Sequence, residues 1–163
     1  MQRPLVISLS ISLAIIAAVS IGIYVYANAP PPIPISFTVK GVTHNFTVAE
    51  ANATADEKGL MNATVTNKTF ALFVFNSPYR WGFWMKNTYY PLDMIWIDGG
   101  ASGGNVVYIQ HDAIPCVSYD PSQFNCTIYL PPSVADYVIE ARAGFANSSG
   151  ITNGSYVSFD YRG

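Results

Sequence analysis

From residue 35 onward, apolar and polar side chains alternate along most of the chain. Ile35, Phe37 and Val39 alternate with Ser36, Thr38 and Lys40, the pattern of a half-buried strand. Phe46-Thr47-Val48 resumes it after a turn around Gly41 to Asn45. Phe70-Ala71-Leu72-Phe73-Val74-Phe75 is an unbroken apolar run of strand length, which predicts burial on both faces, and Asn76-Ser77-Pro78 ends it. Leu92 to Ile97 and Asn105 to Gln110 flank Asp98-Gly99-Gly100-Ala101-Ser102-Gly103-Gly104, predicting a hairpin with a mobile tip. Cys126 to Tyr129 and Tyr137 to Ala141 are shorter strands, and Asn153-Gly154 is a tight-turn signal leading into Ser155 to Tyr161. Helical signal is confined to Thr54-Ala55-Asp56-Glu57, whose capping-box spacing predicts a helical turn over Ala55 to Leu60. Together these elements predict an all-β, antiparallel sandwich or barrel with one or two short helices.

The first residues follow a different pattern. Leu5 to Tyr26 carries no charged side chain, and about 20 such residues span a bilayer as a helix. The expectation is a cytoplasmic stub at 1–4, a transmembrane signal-anchor helix at 5–27, a Pro-rich linker at 28–34 and an extracytoplasmic β domain at 35–163. Arg3 precedes the apolar run, which places the N-terminus inside and the bulk of the chain outside. Ala27-Asn28-Ala29 offers a competing signal-peptide cleavage site. Against cleavage, the apolar stretch exceeds the roughly 7–15 residues of a secretory h-region, and Pro30 would follow the cut directly. Both readings export the domain.

Export changes how the remaining composition reads. Seven Asn-X-Ser/Thr sequons begin at Asn45, Asn52, Asn62, Asn67, Asn125, Asn147 and Asn153, which predicts N-glycosylation. Cys116 and Cys126, the two cysteines of the chain, are expected to form a disulfide outside the cell. Two thiols without a nearby histidine pair do not make a zinc site, and no metal or other cofactor is expected. The eight basic residues less Arg3 leave seven against ten acidic ones, so no basic cluster exists to engage nucleic acid.

Candidate chemistry concentrates between Phe83 and Asp98, where Lys86, Asn87 and Asp93 stand among residues that belong in a core. Buried polar groups need partners, so Trp84, Lys86, Asn87 and Asp93 are the candidate ligand-binding residues, with 99–104 as a mobile rim. Exposed aromatics beside amides stack on sugars, which points to a binding module for a cell-surface glycan, envelope polymer or protein. Two other readings stand beside it. One is a hydrolase of envelope polysaccharide or peptide using Asp93 with Glu140 or His111. The other is a structural surface component in which Asp93 accepts backbone N–H groups and Lys86 pairs with it.

Several strings resemble one known family. They are Gly59-Leu60-Met61, Phe70 to Phe75, Phe83-Trp84-Met85-Lys86-Asn87-Thr88 leading to Pro91-Leu92-Asp93, Val106 to Ile109, Pro115-Cys116, Tyr137-Val138-Ile139-Glu140, Ala143-Gly144 and Gly150-Ile151. In this order they resemble the domain of unknown function 192 family. The resemblance implies a jelly-roll-type β fold, often behind a signal or a single membrane helix, and brings no activity with it. Members often carry an Arg shortly after the Gly-Leu-Met string, whereas here Asn62 follows and opens a sequon.

Overall fold

The fold is taken from a computed structural model, which describes residues 34–51, 53, 58–117 and 125–160. The expected stub and anchor helix, nearly all of the linker, the Asn52 sequon and most of the helical turn after Thr54 lie outside these residues. Among the described residues no helix is long and apolar enough to cross a membrane.

The described chain is almost entirely strand. It comprises β1 (Ser36–Val39), β2 (Val42–Asn45), β3 (Val48–Ala51), β4 (Phe70–Tyr79), β5 (Phe83–Trp84), β6 (Leu92–Gly100), β7 (Gly103–Ala113), β8 (Ile128–Tyr129), β9 (Ala135–Arg142), the four-residue helix α1 (Phe145–Ser148) and β10 (Tyr156–Asp160). Eight strands form one sheet in the order β2-β1-β10-β7-β6-β9-β4-β3, and β5 with β8 forms a separate ribbon. All described strand pairs are antiparallel except β3 with β4.

The sheet must curl, because β2 and β3 stand at opposite ends of its order yet only Phe46 and Thr47 separate them. A stretch that short spans roughly 10 Å at most. Hydrogen bonds mark the crossing: Phe46 N donates to Ile35 O at 3.0 Å and Thr47 N to Phe70 O at 2.8 Å. The Phe37 ring of β1 therefore reaches the Phe70 ring of β4, 5.3 Å away edge-on.

Alternation along the strands separates two cores. Phe37, Leu72, Ile95, Ile139 and Val157 pack on the inner side of the curl. On the outer side Phe73, Met94, Trp96 and Val138 pack beneath Leu60, Val65 and Met85, under a cover that includes the β5–β8 ribbon. Strands β4, β6 and β9 contribute to both, so the unbroken Phe70 to Phe75 run is buried on both faces as expected.

Local differences from the sequence reading have physical causes. The segment read as a turn from Gly41 to Asn45 is a two-residue hairpin at Lys40 (φ 50°) and Gly41 (φ 78°), followed at once by β2. Positive φ at both central residues matches the right-handed strand twist. The glycine-rich 99–104 tip is also not loose, since Gly99 pairs with Gly104 and Gly100 with Gly103. A Cβ on Gly103 would collide with the Val157 carbonyl oxygen, so its lack of a side chain permits close strand approach.

Candidate functional site

Asp93 lies on β6 beside Ala141 of β9, a member of the inner core. It has no exposed surface. Its Oδ2 accepts Ala146 N at 2.9 Å and its Oδ1 accepts Asp112 N at 3.2 Å. His111 Nδ1 stands 3.9 Å from Oδ1, on a side chain 42% exposed. The carboxylate thus fastens α1 to the sheet and holds the left-handed residue Asp112 (φ 48°) near the end of β7. It does not reach solvent.

Asn87 has a local task as well. Its φ of 53° places it in the left-handed region, which asparagine tolerates better than most residues. Asn87 N donates to Cys116 O at 2.8 Å, and Asn87 O accepts Asn62 N at 2.9 Å. The expected Cys116–Cys126 disulfide is present, with Cα atoms 5.7 Å apart. Met85 O accepts Cys116 N at 3.2 Å, so the disulfide loop and the motif tract are fastened to one another.

Trp84 and Lys86 meet at a crevice on the outer face. Phe73 and Phe75 of β4, with Trp81, Phe83 and Trp84, form its aromatic wall, and Lys58, Met61, Lys86, Thr88 and Glu140 complete the lining. The rings hold one another in place: Phe75 stacks on Trp81 at 4.1 Å, and Phe73 meets Phe83 edge-on at 4.7 Å. Lys86 Nζ sits 5.0 Å above the Trp84 ring, a cation–π distance. The free space is about 20 Å³, enough for a water-sized group and far too little for a sugar ring.

Glu140 is the acidic group of this crevice. It pairs across the sheet with Met94 of β6 and Ala71 of β4, both in the outer core. Only 5% of its surface is exposed. Glu140 Oε2 accepts Leu60 N at 2.9 Å, while the preceding Gly59 N donates to Glu50 Oε1 at 3.0 Å. Two carboxylates thereby hold successive amides of the Gly-Leu-Met string. Gly59 has φ +48°, and a Cβ there would collide with Glu140 Oε2 and Phe73 Cζ. Burial raises the Glu140 pKa to about 7; the Leu60 N–H opposes this and the charge of Glu50 adds to it.

The four expected ligand residues therefore divide. Trp84 and Lys86 share the crevice, Asn87 adjoins it through its backbone, and Asp93 is buried on the opposite face. Asp93 and Glu140 do not form the expected hydrolytic pair: their side chains leave opposite faces of one sheet, which precludes contact with a single bond. The 99–104 tip does not line the crevice either. Lys58, Met61 and Glu50 were not anticipated. The signal for Glu140 was an acid inside the otherwise apolar Tyr137-Val138-Ile139 run. His44 is half-buried among the rings of Phe37, Phe70 and Phe145, and burial lowers its pKa.

Two solved structures are similar to this chain in fold. One, from Sinorhizobium meliloti 1021 and named as a candidate transcription regulator, is 26% identical with a TM-score of 0.58, covering 80% of this chain and 95% of its own. The other, a protein of unknown function from Novosphingobium aromaticivorans DSM 12444, is 27% identical with a TM-score of 0.59, covering 77% of this chain and 84% of its own. No curated protein matches. The family model for domain of unknown function 192, described as an uncharacterized ACR, matches residues 35–159. With nearly the whole β domain matched, and the Gly-Leu-Met, Trp-Met-Lys-Asn-Thr and Tyr-Val-Ile-Glu strings meeting at one crevice, the chain belongs to the domain of unknown function 192 family.

Proposed function

We propose that this chain is a membrane-anchored, outward-facing binding module for a cell-surface polymer, with a glycan as the favoured ligand. The observation that carries the proposal is the convergence of three distant strings, Gly59 to Met61, Phe83 to Thr88 and Tyr137 to Glu140, on one aromatic-walled crevice. A fold needs buried rings, but not two lysines and an acid beside them. The limited space makes the ligand's projecting group the part that enters, with the sugar ring resting on the half-exposed Trp81 and Trp84. Anchoring by residues 5–27 would hold the domain at the cell surface, and sugars on the sequons would cover other parts of it. Every sequon asparagine among the described residues is exposed, which is compatible with that modification. The regulator description of the Sinorhizobium protein is not carried over, because the present chain has a net charge of −2 and no basic cluster.

The test uses the purified full-length chain on a glycan array and in pull-downs with envelope polymers. Wild type is expected to bind and the Trp84→Ala, Lys86→Ala double variant to lose binding. Equal binding by both would remove the crevice from the proposal. Alkaline carbonate extraction of cell membranes tests the anchor: the full-length chain stays with the lipid pellet, and release into the supernatant refutes anchoring.

A further inference from the structure

The crevice has a polarity that narrows its ligand. Its cationic groups lie toward the outside, with Lys58 exposed and Lys86 half-buried, whereas Glu140 is sealed within. The indole N–H of Trp81, in the same wall, is buried and meets no acceptor among the described residues. A buried donor without a partner is destabilising, so the wall favours an incoming acceptor. Lys58, Lys86, Trp81 and Thr88, four residues whose side chains can donate hydrogen bonds, all line a space the size of one small group. We infer that the group entering the crevice is a carboxylate borne on a sugar ring, making the ligand an acidic, uronate-type polysaccharide. This rests on the binding reading above and specifies its ligand.

Glu140 would then act as a gate. A ligand carboxylate beside an ionised Glu140 is repelled, while beside the neutral acid it meets a further donor. Uptake of one proton on binding follows, because burial already holds Glu140 near half-ionisation at neutral pH. The charge that acts on it is that of Glu50 on β3, while Lys58 and Lys86 line the same crevice; its cross-strand neighbours Ala71 and Met94 bring no charge.

The experiment measures affinity of the full-length chain, in detergent or nanodiscs, for a uronate oligosaccharide, its neutral parent sugar and free acetate. At about pH 6 the uronate should bind at least about tenfold more tightly than the neutral parent, with acetate far weaker than either. Between about pH 7 and 8 the uronate affinity should fall toward tenfold per pH unit, the signature of one linked proton. Glu140→Gln should bind the uronate equally at both pH values. Lys58→Ala, at an exposed side chain of the crevice, should weaken uronate binding by a larger factor than it weakens neutral-sugar binding. Equal affinity for neutral and acidic sugars, or pH-independent uronate binding by wild type, overturns the acidic-ligand inference and leaves the glycan reading standing. If no sugar of either kind binds, both fail. Acetate binding as tightly as the oligosaccharide would also overturn the inference, since the ring would then contribute nothing.

Discussion

Glu140 should make this domain less stable as solution becomes more alkaline, by an amount the structure sets. Its carboxyl ionises near pH 7 in the folded chain, against an ordinary value of 4.5. Below pH 4.5 both folded and unfolded chains hold the proton, and the stabilising contribution is complete. Above about pH 7 both have lost it, and the folded chain bears a buried negative charge. Between these limits the unfolded chain binds fewer protons, so stability falls as pH rises. At about 1.4 kcal/mol per pH unit of separation, the loss is about 3 kcal/mol. Glu140→Gln keeps an oxygen to accept Leu60 N–H and cannot ionise. The variant should therefore exceed wild type by up to about 3 kcal/mol at about pH 8 and approach it near pH 4.5. Urea unfolding followed by tryptophan fluorescence at several pH values measures this directly. Asp136, whose pKa is also raised by burial, contributes a slope of the same sign to both proteins and cancels in the difference. Parallel stability profiles for wild type and variant would refute the assignment of buried charge to Glu140.

Three further outcomes follow from the contacts. Gly59→Ala forces a side chain into left-handed backbone against Glu140 and Phe73, and should cost about 2–4 kcal/mol in urea unfolding; a loss below about 1 kcal/mol would show that the 58–61 segment shifts freely. Asp93→Asn removes one acceptor from the pair serving Ala146 and Asp112, and should cost about 2 kcal/mol, with faster hydrogen exchange at one of those amides; unchanged exchange at both would exclude the fastening role. Opening the Cys116–Cys126 loop by a double Ser substitution should cost about 3 kcal/mol by loop-closure entropy and speed exchange at Asn87 N, which Cys116 O now accepts; slow exchange there would show that the tract is held without the disulfide.

Much of the fold was legible because strand alternation is local information. β1, β4, the β6–β7 hairpin, β9 and β10 all coincide with runs whose period is visible in the residues themselves. β2 was missed because Val42 to Asn45 combines turn-forming and strand-forming residues, and its partner β1 decides the outcome. The curl was not legible, since it depends on strands at opposite ends of the sheet order. The same distinction governs the site. Trp84 and Lys86 stood out within one short string, but Leu60 and Glu140 lie 80 positions apart and no local pattern joins them. Asp93 was open to two readings, a ligand-binding acid or an acceptor of backbone N–H groups, because nothing in its own tract supplies the donors it meets; they come from Asp112 and Ala146. Gly99, Gly103 and Gly104 were misread for a related reason: conformational freedom and tight backbone approach favour the same residue, and only the opposing strand tells them apart.

The two-residue crossing at Phe46-Thr47 also limits how another molecule can engage this domain. Its outermost strands, β2 and β3, have four residues each and are tied together by that crossing. At the two ends of the described sheet order, a visiting polypeptide seeking main-chain pairing finds these short, mutually tethered borders. At those two borders recognition is thereby steered away from β-augmentation and toward side-chain surfaces.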